Sequence, residues 1–66
     1  MELSIEDRAV LAHVVVSVDD WVAHALNTVG EEAVTAKIAR WKPEYLAVKD
    51  LPGYKTRVER ETEERK

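Results

Sequence analysis

Val34, Ile38, Trp41, Tyr45 and Val48 recur at steps of four, three, four and three. This is the spacing of a seam along one side of an α-helix. It predicts that the segment after Gly30 presses a stripe carrying two large rings against another surface. A second, smaller face of the same segment carries Ala36, Ala39, Leu46 and Ala47. Small side chains there would let another helix approach closely. Glu31 and Glu32 fall in the first turn, where carboxylates favour the positive end of the helix dipole. Pro43 interrupts the segment, removing one hydrogen bond and crowding the preceding turn. The seam nevertheless keeps its phase from Trp41 to Tyr45. One helix kinked at Pro43 is therefore favoured over two helices with Pro43 opening the second.

Upstream, Val18, Trp21, Val22, Ala25, Leu26 and Val29 line one face of a helix over 18–29. Ser17 and Asp20 form a capping box at its start, with Val16 and Trp21 placed as a hydrophobic staple. Gly30 ends it, as a residue that adopts left-handed backbone at low cost. The two apolar faces on either side of one glycine predict an antiparallel helical hairpin, because short connections make helices neighbours.

Residues 5–18 read two ways. Ser4 and Asp7 mark a helix start. Ile5, Ala9, Ala12 and Val16 then fit a helical face, whereas Val10, Ala12, Val14, Val16 and Val18 fit a strand of period two. Valine at 14, 15, 16 and 18 favours extended backbone by propensity. The reading adopted is helix over 5–13 and an extended connection over 14–17. The alternative is a strand pairing with a copy of itself.

Asp50-Leu51-Pro52-Gly53-Tyr54 is the clearest break, since Pro-Gly marks a turn. Thr56 and Glu59 make another capping box. Beyond it Val58 is the one apolar residue, and Arg57–Glu61 and Glu61–Arg65 fall at ion-pair spacing. The expected organisation is an all-α bundle of three to four helices: a helical core over 1–55 and a charged C-terminal helix or tail over 56–66.

The chain has 66 residues, which limits it to one domain of marginal independent stability. It has no cysteine, so neither a disulfide nor a thiolate metal site staples it. Close helix packing or a second copy must do so, and a homodimer is the expectation. Val34, Ile38, Trp41, Tyr45 and Val48 are the candidate interface.

The net charge of −3 is uneven. Residues 1–50 carry nine acidic against five basic side chains, and residues 51–66 four against five. An acidic body argues against binding nucleic acid through phosphates. The N-terminus lacks the basic, then apolar, character of a secretory signal. No run approaches the ~18 apolar residues of a membrane span. The expected location is the cytoplasm.

Asp20 and His24 lie one helical turn apart, and His13 is the other histidine. Zinc usually takes three or four protein ligands, so a weak surface pair is the simpler reading. The acidic residues fall mostly in helix first turns, where capping explains them. No metal, cofactor or catalytic group is implied, and a non-enzymatic role is expected. Lys37, Arg40, Lys42 and Lys49 lend the third helix some positive character. A small helix-turn-helix regulator of transcription is accordingly the alternative to a protein-binding role.

The stretch Pro52-Gly53-Tyr54-Lys55-Thr56-Arg57-Val58-Glu59-Arg60-Glu61 resembles the endings of small uncharacterised phage and prophage proteins, often encoded near tail genes. Those commonly close with a Tyr, a polar pair, an Arg, and then an Arg followed by acidic residues. Lys37-Ile38-Ala39-Arg40-Trp41-Lys42-Pro43-Glu44-Tyr45 is similar in flavour. The resemblance covers about a third of the chain and carries over no functional residue. It implies a phage accessory or assembly protein that binds a phage or host protein.

Overall fold

A computed structural model describes residues 1–64. They form four helices: α1 (Ile5–Val14), α2 (Val18–Thr28), α3 (Glu31–Val48) and α4 (Arg57–Glu64). No strand occurs among the described residues. The fold is all-α, as the periodicity predicts.

Local signals place the helix starts. The Ser4 hydroxyl accepts from the Asp7 amide at 3.0 Å, and the Ser17 hydroxyl from the Asp20 amide at 3.4 Å. The valine run is resolved by the end of α1. Val14 stays helical and Val15 turns extended, so only a short connection separates α1 from α2. The axis bends there by 92°. The extended preference of β-branched residues is used for a corner and not for a strand.

Gly30 ends α2 with φ 89° and ψ 168°. This corrects the expected left-handed turn: the backbone is in the mirror-extended region, which is essentially open to glycine alone. The Val29 and Gly30 amides both donate to the Ala25 carbonyl. Gly30 also serves as the N-cap of α3, without a side chain to cap it. A Cβ at Gly30 would meet nothing within 4 Å. The cost of Gly30→Ala is therefore conformational alone. It should be about 1–3 kcal/mol, read as a lowered urea midpoint with an unchanged helical spectrum.

Past Gly30 the chain folds back. Trp21, near the start of α2, meets Trp41, well along α3, edge to face with centroids 5.6 Å apart. α3 runs through Pro43 as one helix. Ala39, whose carbonyl loses its amide partner at that proline, is exposed, so water can take the place of the missing bond.

The interior consists of Val10 and Leu11 from α1, Ala25 from α2, and Val34 and Ile38 from α3. Leu3, Val15, Val18, Trp21, Val22, Leu26, Trp41 and Tyr45 pack around them, partly buried. The expected α1 face of Ile5, Ala9, Ala12 and Val16 is corrected. Ile5 is 89% exposed and Val16 is half exposed, while Val10 and Leu11 are fully buried. At 3.6 residues per turn Val10 and Leu11 lie on the side of α1 away from Ile5, and burying that side removes more area from water than burying a face made mostly of Ala. Ion pairs between Lys42 and Glu6 (2.6 Å) and between Arg8 and Asp19 (2.9 Å) tie α1 to α3 and to α2. Both are exposed and worth at most about 1 kcal/mol each.

Candidate functional site

The most structured polar region lies where the end of α1, the second half of α3 and the C-terminal segment meet. His13, on the last turn of α1, is 9% exposed. Its Nδ1 is 3.2 Å from the Tyr54 hydroxyl. Its Nε2 is 3.7 Å from Glu44 Oε1, beyond hydrogen-bond reach. The imidazole also sits beside the rings of Tyr45 and Tyr54, with centroids 6.1 and 5.7 Å away. Tyr45 and Tyr54 in turn meet edge to face at 6.2 Å.

Tyr54 reaches this place through the turn after α3. The Leu51 amide donates to the Val48 carbonyl and the Tyr54 amide to the Leu51 carbonyl. Gly53 takes a positive φ of 78° within it. Burial pushes the Tyr54 hydroxyl up, and the neighbouring Tyr45 adds to the rise. A phenol can donate or accept, so the contact with His13 Nδ1 forms with either ring tautomer.

α4 closes the region from outside. The Thr56 hydroxyl accepts from the Glu59 amide at 3.4 Å, as its cap spacing predicts. Arg57 Nη1 donates to the Val14 carbonyl at 3.1 Å, and Arg60 Nη2 to the His13 carbonyl at 3.5 Å. Arg57 Nε also pairs with Glu61, in agreement with the helical spacing. The expected Glu61–Arg65 pair lies outside the described residues. A cleft of about 390 Å³ remains between α4 and the rest, lined by His13, Val14, Glu44, Arg57, Arg60, Glu61 and Glu64. Its walls mix charges, and both arginines are committed to the end of α1. The arrangement therefore acts chemically as a clamp that joins three parts of the chain.

The residues read from sequence as an interface separate into two groups. Val34 and Ile38 are 0% and 4% exposed and belong to the chain's own core. Trp41, Tyr45 and Val48 are half-buried. The opposite side of α3 is the open one: Ala36, Ala39, Pro43, Leu46 and Ala47 are all exposed. Asp20 and His24 are exposed on α2, and no group of three His, Cys, Asp or Glu side chains suited to a metal ion occurs among the described residues. No single helix there is long and apolar enough to cross a membrane.

His13 stands far from Tyr45 and Tyr54 in the sequence. Nothing in their spacing signals the meeting, which the 92° corner and the Gly53 turn bring about. Comparison of the chain with protein-family models, with curated proteins and with solved structures finds no match.

Proposed function

We propose that this chain is a non-catalytic accessory or assembly protein, of the kind phages and prophages encode, that works by protein–protein interaction and pairs first with a copy of itself. The observation that carries this reading is an imbalance of apolar surface. Five apolar residues are buried, while Leu46, Leu51, Val29, Val16, Ile5, Met1 and Val58 are exposed. A core that small leaves little stability for a lone chain of this length. Leu46 lies with Ala36, Ala39, Pro43 and Ala47 along one exposed side of α3, and a contiguous apolar face is the material from which interfaces are made. A two-fold dimer is the commonest closed arrangement.

The charge pattern supports a protein partner over DNA. Of the three basic residues on α3 and Lys49 just after it, Lys42 pairs with Glu6 and Lys49 lies 3.9 Å from Asp50. Lys37 and Arg40 remain, which is few for phosphate neutralisation.

The test is a solution mass by light scattering together with thermal melts over a hundredfold range of protein concentration. A dimer whose dissociation is coupled to unfolding raises its midpoint with concentration. The expected result is a dimer mass and a rising midpoint. A monomer mass with an unchanged midpoint would remove self-association. Salt-sensitive retention on DNA would favour the regulator instead.

A further inference from the structure

We infer that α4 is a latch: it opens and closes on the end of α1 as a unit while α1, α2 and α3 stay folded. This goes beyond the proposed interaction role and does not depend on it.

The forces that hold α4 are polar and few. The helix has no buried residue, and its apolar side chain, Val58, is 39% exposed. Val58 is only partly shielded, so little apolar burial anchors the helix. What anchors it are the guanidiniums of Arg57 and Arg60 on the Val14 and His13 carbonyls. The bond between Tyr54 and His13 at its root completes the attachment. The two carbonyls belong to the last turn of α1, where a helix leaves its acceptors without partners of its own. α4 thus caps α1 from more than forty residues away in sequence. When α4 leaves, water can take both carbonyls at the helix end, so little is lost to the core. α3 and α1 keep their own packing through Val10, Leu11, Val34 and Ile38.

The geometry also gives the latch a place to move. The open cleft separates α4 from Glu44, so α4 rests on α1 along one edge and is not wedged into a groove. The turn containing Pro52 and Gly53 connects it to α3 and is exposed. Opening would lay bare His13 and Val14 while breaking a handful of hydrogen bonds. Segments attached in this way open sub-globally, below the cost of unfolding the whole.

Native-state hydrogen exchange of the full chain across a urea series tests this. The amides of residues 61–64 should exchange at least about tenfold faster than those of Val34 and Ile38. Their opening should be nearly independent of urea below the main transition, since little surface is exposed. In the Arg57→Ala/Arg60→Ala double variant their protection should fall about fivefold further, with the core amides unchanged. Three results would overturn the latch. One is a single opening, with one urea dependence, shared by α4 and the core. The second is a double variant in which the core unfolds along with α4. The third is a wild-type α4 without any protection, which would mean that it never closes.

Discussion

Leu11→Ala is expected to remove about 2–5 kcal/mol of stability, the range for emptying a fully buried leucine site. Leu11 is the largest side chain that the fold buries completely. It belongs to the buried cluster that Val10, Ala25, Val34 and Ile38 complete. A domain of this size has a margin of only about 3–5 kcal/mol. Much of the variant should therefore be unfolded at room temperature. Urea titration at fixed protein concentration reads the effect. Ile5→Ala serves as the comparison, because Ile5 is 89% exposed. Its effect should stay within about 0.5 kcal/mol. Equal losses from the two variants would mean that α1 presents a different face to the core.

Trp41→Ala should come next, at about 3 kcal/mol, the low end of the range for truncating a buried tryptophan because Trp41 keeps part of its surface. Of that, about 0.5–1.5 kcal/mol belongs to its edge-to-face contact with Trp21. This contact holds α2 back against α3, so its loss loosens the hairpin on both sides of Gly30. A double-mutant cycle with Trp21→Leu and Trp41→Leu isolates the pair, and a coupling near zero would show that the rings do not meet. Removing residues 57–66 should do less. It takes away two exposed arginine contacts worth about 1 kcal/mol together, or about 4–8 °C of melting temperature in a domain this small. A deletion as damaging as Trp41→Ala would show that the C-terminal segment is part of the core.

The features that the sequence determined are those decided within a few residues. Ser4, Ser17 and Thr56 start helices because each hydroxyl reaches an amide three residues on. Val34 and Ile38 fall inside because the helical repeat puts them on one side of α3. The inward face of α1 was less legible. Its apolar residues, Ile5, Ala9, Val10, Leu11, Ala12 and Val14, are spread around the helix, so periodicity offers several faces, and only contact with the rest of the fold selects Val10 and Leu11 over Ile5 and Ala9. The meeting of His13 with Tyr45 and Tyr54 was not legible at all, and neither was the capping of α1 by Arg57 and Arg60. These contacts join residues more than thirty positions apart. Their existence depends on the path of the chain through the corner before α2, the reversal at Gly30 and the turn at Gly53. A hydrogen bond acts over about 3 Å, so it forms only after the packed core has fixed where those distant residues lie.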